Sequence, residues 1–265
     1  MTLRLTILGC ASSGGVPRVG EGWGACDPAN PKNRRRRCSV LVERFESYGA
    51  TTVLVDTSPD LREQLLDLGV TRLDGVLMTH SHADHTHGMD DLRPLYIAMR
   101  RRVDLYMDEA TSRVVRRAFE YLFETPSGSL YPPLVNEKRL RHGEPCVVDG
   151  PGGPIEAIPF TLEHGEIQAL GFRFGRLAYT PDLNAIGPES LRYLEDLDTW
   201  IIDGLRYKEH PSHLSVDEAL AWIGKMRPRR AIITNLHTDL DYEELSRRLP
   251  DNVEPAYDGM RIEDF

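Results

Sequence analysis

The sequence contains one dense group of residues that could bind metal ions, namely His80, His82, Asp84 and His85. The group directly follows a short apolar run that predicts a buried strand. Alternate residues of an extended chain point to the same side, so we expect His80 and His82 to bind one ion. The turn after them directs Asp84 and His85 to another. Imidazole and carboxylate suit zinc, manganese or iron rather than calcium. A solvated polar loop is the alternative, but this density of ligand-type residues favours a metal site.

Further candidate ligands follow predicted strands in the second half of the chain. They are His164, Asp182 and His237. Each by itself is a weak signal, because a single His or Asp at a strand end is more often a helix cap or a surface residue. Their order and placement strengthen one another, since one segment cannot supply two complete sets of ligands. We therefore expect two divalent metal ions, zinc or manganese, in one site.

His213 is the candidate proton donor for the hydrolysis that such a site supports. Two ions roughly 3.5–4 Å apart can hold both oxygens of an ester and lower the pKa of a bridging water towards about 7. The alkoxide that leaves a phosphodiester benefits from a general acid. His213 lies just before a predicted helix that begins with the potential capping box of Ser215 and Glu218. The pattern alone slightly favours the alternative, a surface His in a polar loop.

Arginines supply candidate phosphate-binding groups. Arg206 and Arg93 are the two candidates for substrate binding, because a guanidinium matches the geometry of a phosphate. Structural ion pairs are an equally good interpretation of both. The run Arg34–Arg37 is interpreted as a solvated face, since it is not interleaved with aromatic residues that could stack on unpaired bases.

Composition limits the class of protein. With 265 residues, 40% hydrophobic and 28% charged, the chain is typical of one globular domain over residues 1–265. The net charge of −9 argues against a duplex nucleic acid as partner and leaves small anionic substrates open. Four cysteines and a first segment that resembles a strand rather than a secretory leader predict a reducing cytoplasm. No apolar run is long enough to span a membrane. The composition leaves open whether two copies of the chain form a homodimer.

Strands and helices alternate along the chain. Strands are predicted at Met1–Gly9, Val40–Val42, Thr52–Val55, Val76–Thr79, Ile155–Pro159, Gly171–Tyr179, Trp200–Ile202 and Ala231–Thr234. Helices are predicted at Pro59–Leu68, Leu92–Met99, Thr111–Phe123 and Val216–Met226.

The motif HxHxDH with a later His, Asp and His resembles the metallo-β-lactamase-fold hydrolase superfamily. The resemblance spans nearly the whole chain and implies an α/β fold, a four-layered αββα sandwich. It also implies that the first ion is bound by His80, His82 and His164, the second by Asp84, His85 and His237, and that Asp182 bridges them. In that pattern Asp56, at the end of a strand, contacts a metal ligand rather than the metal itself. The alternative is that Asp56 only forms a turn before Thr57. Related enzymes often have a His where this sequence has Asn235.

The stretch Gly9–Arg18, together with Cys38-Ser39, looks like the PhnP branch of this superfamily. The resemblance implies hydrolysis of a small phosphate ester, phosphoribosyl 1,2-cyclic phosphate in particular. Phosphodiesterase branches carry a similar late His before a helix as acid or phosphate ligand, so we expect His213, together with Asp84, to take part in catalysis. PhnP-like proteins can carry a structural zinc on several cysteines in the loop at residues 16–39, where this sequence has only Cys26 and Cys38. We therefore expect packing, rather than a further zinc, to order that loop.

Three related kinds of protein are the alternatives, and the last of them typically uses a different set of metal ligands. A transfer-RNA 3′-processing nuclease normally has an additional arm that grips RNA, and no such basic insertion is evident. A thioesterase of the glyoxalase II kind would not require His213 as a proton donor. A cofactor-assembly protein like the B protein of pyrroloquinoline quinone biosynthesis is suggested by the segment Val55–Arg62.

Overall fold

The computed structural model describes residues 2–263 and 265. These residues form fourteen strands: β1 (Thr2–Gly9), β2 (Ser39–Glu46), β3 (Gly49–Val55), β4 (Gly75–Leu77), β5 (Val103–Met107), β6 (Val135–Arg139), β7 (Cys146–Val148), β8 (Ile155–His164), β9 (Ile167–Phe174), β10 (Leu177–Thr180), β11 (Thr199–Asp203), β12 (Arg230–Thr234), β13 (Val253–Pro255) and β14 (Arg261–Glu263). The seven α-helices in the same part of the chain are α1 (Leu61–Asp67), α2 (Ala83–Thr86), α3 (Leu92–Met99), α4 (Glu109–Ala118), α5 (Glu120–Phe123), α6 (Val216–Met226) and α7 (Tyr242–Arg248).

The strands form two seven-stranded mixed sheets. The first has the order β14-β1-β2-β3-β4-β5-β6, and the second has the order β13-β12-β11-β10-β9-β8-β7. Strands β3 to β6 run parallel in the first sheet, as do β10 to β13 in the second. The carboxyl ends of parallel strands meet at one edge of a sheet, so each sheet can present several loop residues side by side.

Alternating side chains divide the first sheet between two cores. Val40, Val42 and Val53 face the second sheet and belong to the larger core, which α6 and α7 extend on the far side. Leu41 and Leu54, one residue away on the same strands, face the other core, beneath α1, α3, α4 and α5. The layers are therefore helix, sheet, sheet and helix, which confirms the predicted αββα sandwich.

Most predicted elements are present, with shifted ends. The helices Leu92–Met99 and Val216–Met226 have the predicted bounds. The predicted helix Thr111–Phe123 is interrupted at Phe119, whose φ of −129° lies outside the helical range. The predicted strand Gly171–Tyr179 is instead a hairpin of β9 and β10, because Gly175 turns the chain with a φ of +56°. The start of the strand predicted at Met1–Gly9 lies outside the described residues.

Residues 10–38 form a long loop that a buried arginine holds in place. Arg35 is only 2% exposed, and its guanidinium donates to the carbonyl oxygen of Leu240 over 2.8 Å and to Oδ1 of Asn33 over 3.0 Å. Arg36 pairs with Asp67, and Arg37 binds the carboxylate of Asp60 through two nitrogens. The prediction of a solvated face for Arg34–Arg37 is therefore wrong, because these three side chains fasten the loop to the rest of the molecule.

Candidate metal centre and its cavity

The candidate ligands converge because their strands end at the facing edges of the two sheets. His80 follows β4 and is only 1% exposed, and the segment then turns into α2, which carries Asp84 and His85. From the second sheet, His164 ends β8 and Asp182 follows β10. Both sheets thus contribute side chains to a common point.

The distances define two overlapping groups that could hold metal ions. The ligand atoms within each group lie within 4.8 Å of one another, and the groups are His80, His82 and His164, and His80, His85 and Asp182. Nε2 of His164 lies 3.1 Å from Nδ1 of His82. Nε2 of His85 lies 3.1 Å from Oδ2 of Asp182 and 3.5 Å from Oδ2 of Asp84. The structure therefore brings together six of the seven predicted ligands.

Unpartnered buried atoms show that this group fits a metal. Nε2 of His80, Nε2 of His85 and Oδ2 of Asp182 are buried, and apart from the 3.1 Å ion-pair contact between the last two, none of them has a hydrogen-bond partner among the described residues. A buried polar atom without a partner costs free energy, about 1–3 kcal/mol each. These three atoms point to one place, where a divalent cation would satisfy all of them. Nitrogen and carboxylate donors in this number suit zinc or manganese.

Hydrogen bonds from behind orient three of the imidazoles. Nδ1 of His85 lies 2.7 Å from Oδ2 of Asp56, which also accepts from Oγ1 of Thr79 over 2.8 Å. Nδ1 of His80 lies 2.9 Å from the same hydroxyl of Thr79. Nδ1 of His164 donates to the carbonyl oxygen of Ser212 over 2.7 Å. Because Nδ1 is engaged in each case, Nε2 faces the site with its lone pair available. Asp56 thus lies where the resemblance put it.

Burial and neighbouring charges perturb the pKa values of the cluster. Burial lowers the pKa of His80 well below its usual value, and the imidazole of His85 lowers it further. Burial also acts to lower the pKa of His85, but the carboxylates of Asp182 and Asp56 outweigh it and hold that pKa well above its usual value. Asp182 shows the reciprocal effect, because the imidazoles of His85 and His80 hold its pKa well below the usual value despite burial. The field of the cluster therefore favours neutral His80 and ionised Asp182, the forms that bind metal.

His213 lies beside the cluster and is held by two strand-end residues. Its Nδ1 donates to Oδ2 of Asp203 over 2.8 Å, and Oδ2 also accepts from the backbone nitrogen of Leu183 over 3.1 Å. The amide nitrogen of Asn235 donates to Oδ1 of Asp203 over 3.2 Å and to Oδ1 of Asp182 over 3.4 Å. With its proton on Nδ1, His213 keeps Nε2 free of the contact with Asp203, and the residue lines the cavity beside the site.

The charge state of His213 depends on Asp203. Burial alone lowers the pKa of His213, but the buried carboxylate of Asp203 outweighs this and raises the pKa to about 9. His213 also forms a third group of ligand-type atoms within 4.8 Å, with His164 and Asp182. The arrangement is therefore that of an imidazole which can carry a proton at the edge of the metal centre.

A cavity of roughly 440 Å³ opens beside the centre. Its lining includes His82, Asp84, Asp182 and His213 on the side of the candidate ligands. The remaining lining residues are Ser12, Ser13, Arg18, Ala83, Leu205, Arg206, His210 and His237. The predicted substrate-binding residue Arg206 therefore faces the cavity.

His237 has other partners in the structure than the candidate ligands. Its Nε2 lies 2.8 Å from Nη1 of Arg18, and its Nδ1 lies 3.2 Å from Oδ1 of Asp239. The groups of ligand-type atoms found among the described residues do not include it. Asn235, at the end of β12, occupies the place beside Asp182. A role for His237 as a ligand of the second ion stays a prediction.

Arg93 lies away from the cavity. It is on α3, with its guanidinium 5.5 Å from the centre of the Tyr131 ring, and it is not among the residues that line the cavity. Its predicted contact with substrate stays a prediction.

The sequence interpretation did not single out Asp203 or Arg18. Asp203 directly follows the apolar residues of β11, as Asp56 follows those of β3, so strand-end position is a signal that could have identified it. Arg18 closes the Gly-rich stretch that carried the family resemblance, but nothing in its local sequence indicates which side chain it meets 219 positions later.

Comparisons with known proteins agree with this geometry. The family described as the β-lactamase superfamily domain matches residues 51–235. A protein named octanoyltransferase from Porphyromonas gingivalis is 32% identical over 99% of this chain, which spans only 54% of that protein. A solved structure described as a new diphosphatase from the PhnP family is 36% identical, with a TM-score of 0.88 and coverage of 100% of this chain and 98% of the other. Zinc-bound PqqB from Methylobacterium extorquens, 18% identical, has a TM-score of 0.74 and coverage of 98% and 99%, which shows the same fold.

The chain therefore belongs to the β-lactamase superfamily, and its fold and site are those of a metal-dependent hydrolase. Within that superfamily it is similar over its whole length to the diphosphatase of the PhnP family.

Proposed function

We propose that this protein is a phosphodiesterase that hydrolyses a small phosphoric diester, a cyclic ribose phosphate above all. A diphosphate, which would be cleaved at its anhydride bond, is the second candidate, favoured by the similarity to a diphosphatase. The observation that carries the proposal is the adjacency of the unpartnered ligand atoms and the His213–Asp203 pair. A proton donor beside a metal centre is what cleavage of a bond to a poor leaving oxygen requires. The similarity to a PhnP-family diphosphatase supports the same class of substrate.

The metal ligands in this proposal are those predicted from the sequence, with the exception of His237, which the ligand-type groups do not include. His80, His82 and His164 would hold one ion, Asp84 and His85 would hold a second, and Asp182 would be shared by both. When bound, divalent ions lower the pKa of a water and polarise phosphoryl oxygens. We propose zinc or manganese, two per chain.

The chain's own residues then position the substrate and supply a proton. His213 holds a proton on Nε2 at the cavity side and gives it to the leaving oxygen. Asp203 accepts from Nδ1, which fixes the tautomer and keeps the ring oriented. Ser212, next to His213, accepts from His164 through its carbonyl oxygen, so the loop that carries the proton donor is tied to a ligand.

The proposal is tested with purified protein loaded with manganese or zinc. The substrates are bis(p-nitrophenyl) phosphate, a cyclic ribose phosphate, a dinucleoside diphosphate, a transfer-RNA precursor and a glutathione thioester. Hydrolysis of the small diesters is expected, and no cleavage of any of them would refute the proposal. Cleavage of the RNA or the thioester alone would instead support a processing nuclease or a thioesterase.

The variant His213→Ala separates the phosphodiesterase from the thioesterase. We expect kcat for diesters to fall about 10²- to 10⁴-fold, the usual contribution of a general acid. The control is His142→Ala, because His142 contacts Thr161 and does not line the cavity. Equal kcat values in the two variants would contradict the assigned role.

A further inference from the structure

The cavity has a basic wall that the metal centre does not use. The acidic residues in its lining are Asp84 and Asp182, and both are candidate ligands. On the remaining wall stand two guanidinium groups, those of Arg18 and Arg206, although the chain as a whole has a net charge of −9. A local excess of positive charge in a cavity of an acidic protein attracts an anion.

His237 holds Arg18 in one orientation. An arginine side chain can only donate, so the 2.8 Å contact requires that Nε2 of His237 accepts from Nη1. The proton of this imidazole is then on Nδ1, which lies 3.3 Å from its hydrogen-bond partner, Oγ1 of Thr238, and 3.2 Å from the carboxylate of Asp239. These two residues hold the far side of the ring while Nε2 fixes the guanidinium of Arg18.

Most donors of Arg18 stay available for a ligand. Its hydrogen-bond partners among the described residues, His237 and Glu21, are both reached through Nη1, which leaves Nε and Nη2 for a ligand. The carboxylate of Glu21 is 3.4 Å away and its side chain is 60% exposed, so this ion pair is weak. The side chain itself is 34% exposed and lines the cavity. A guanidinium with a free edge matches the oxygens of a phosphate.

Gly14 makes room for this side chain. A Cβ atom at position 14 would lie 2.3 Å from Nε of Arg18 and 2.7 Å from its Cδ. The aliphatic part of Arg18 therefore rests on a backbone without a side chain. Arg206 is fixed independently, because its Nε and Nη2 donate to the carbonyl oxygens of Lys208 and Glu209 over 3.2 and 3.1 Å.

We infer that Arg18, positioned by His237, binds a second phosphate of the substrate, distinct from the phosphoryl group that reacts at the metal centre. The inference rests on the proposed function and narrows its substrate class to small diesters with a further phosphate. It gives His237 a role in positioning a specificity-determining arginine, in place of a role as metal ligand.

Binding to the manganese-loaded protein tests the inference without requiring turnover. Calorimetry compares thymidine 5′-monophosphate with thymidine 3′,5′-bisphosphate, which differ by one phosphate. We expect the natural protein to bind the bisphosphate about 10- to 100-fold more tightly, the usual effect of a charge-assisted hydrogen bond. In Arg18→Ala this preference disappears while the affinity for the monophosphate is unchanged. Equal affinity of the natural protein for both nucleotides would overturn the inference.

Further variants separate positioning from metal binding. His237→Ala should reduce the preference about 3- to 10-fold and leave the metal content unchanged, because the imidazole acts on the orientation of Arg18. Gly14→Ala should reduce it similarly, since the new Cβ displaces the arginine, and Arg18→Lys should retain part of it. The control is Arg113→Ala, an exposed residue of α4. Loss of metal in His237→Ala, with the preference retained, would refute this role.

The result is independent of the outcome for hydrolysis. If no diester is cleaved but the bisphosphate preference depends on Arg18, the proposed function fails and the anion site stands. If diesters are cleaved and Arg18→Ala changes neither nucleotide's affinity, the function stands and the anion site fails.

Discussion

Asp203 shows how one buried carboxylate can set the behaviour of a neighbouring imidazole. Its two oxygens accept hydrogen bonds from His213, Leu183 and Asn235. An amide at this position would place its NH₂ group, which can only donate, against groups that also donate. In Asp203→Asn we expect kcat for diesters to fall by about 10-fold or more, because His213 loses the partner that fixes its tautomer. KM and the metal content should change little.

Steady-state kinetics and metal analysis check this expectation. Asp104→Asn is the control, since Asp104 lies partly exposed on β5 and outside the cavity lining. An unchanged kcat in Asp203→Asn would remove the positioning role from Asp203. A loss of metal would assign its effect to the ligands instead.

The buried carboxyl group of Asp258 should make the free energy of unfolding depend on pH. Burial raises its pKa to about 7, against the hydrogen bonds from Arg36 and Cys10 that lower it. The folded state therefore binds a proton more tightly than the unfolded state, for which the pKa is near 3.8. The resulting stabilisation is fully present below pH 3.8 and is lost as the pH rises through about 7.

The variant Asp258→Asn isolates this contribution. We expect its free energy of unfolding, relative to that of the natural protein, to increase between pH 5 and pH 8 by an amount on the order of a few kcal/mol. Urea unfolding at several pH values measures the difference. A constant difference across this range would show that Asp258 does not titrate in it.

At the residue scale, candidate metal ligands could be predicted from the sequence, whereas hydrogen bonds between side chains of distant loops could not. His80, His82 and His164 could be found because strand-end histidines have few structural roles. The hydrogen bond between Arg18 and His237 could not, since it joins two loops that only the folded sheets bring together. Such contacts depend on tertiary structure and leave no local pattern.

At the scale of elements, α6 is held by the capping box that its sequence predicts. Oγ of Ser215 accepts from the backbone nitrogen of Glu218, whose carboxylate accepts from the backbone nitrogen of Ser215. In Ser215→Ala we expect the protein to lose about 1 kcal/mol of stability. Denaturant unfolding measures it, with Ser127→Ala as control, because Ser127 is exposed in a loop. A loss as small as that of the control would show that the cap contributes nothing.

Amphipathic helices and buried strands were predictable because periodicity records which face is covered. The strands β5, β6, β7, β13 and β14 were not predicted. Three of them have only three residues each, too few for an alternating pattern. The β9–β10 hairpin was predicted as one strand, because both halves are apolar and only Gly175 and Arg176 separate them.

At the scale of the whole molecule, the metal centre joins the two sheets. His80 and His85 come from the first sheet's edge, and His164 and Asp182 come from the second. Removing the ions leaves buried polar atoms unpaired on both sides. We expect a chelator to lower Tm by about 5 °C or more, since a ligand at 100 times its Kd contributes about 2.7 kcal/mol.

Thermal unfolding with and without chelator measures this effect, and added manganese or zinc should restore Tm. Asp182→Ala is the matched control, because it removes the carboxylate that lies between the two groups of ligands. Its Tm should respond little to the chelator. An equal response in both proteins would show that the stabilising ions bind elsewhere.

The structure has no helix long and apolar enough to cross a membrane within the described residues.

Arg35 holds one wall of the cavity in place independently of the metal centre, so loss of metal should affect the two walls differently. It secures the loop of residues 10–38, which carries Arg18, through the carbonyl oxygen of Leu240 and the side chain of Asn33, and not through a candidate ligand of the metal centre. A chelator that strips the ions should therefore leave the loop as resistant to protease as before. Hydrolysis would stop while the opposite wall still takes up an anion, so loss of metal would convert the enzyme into a phosphate-binding protein.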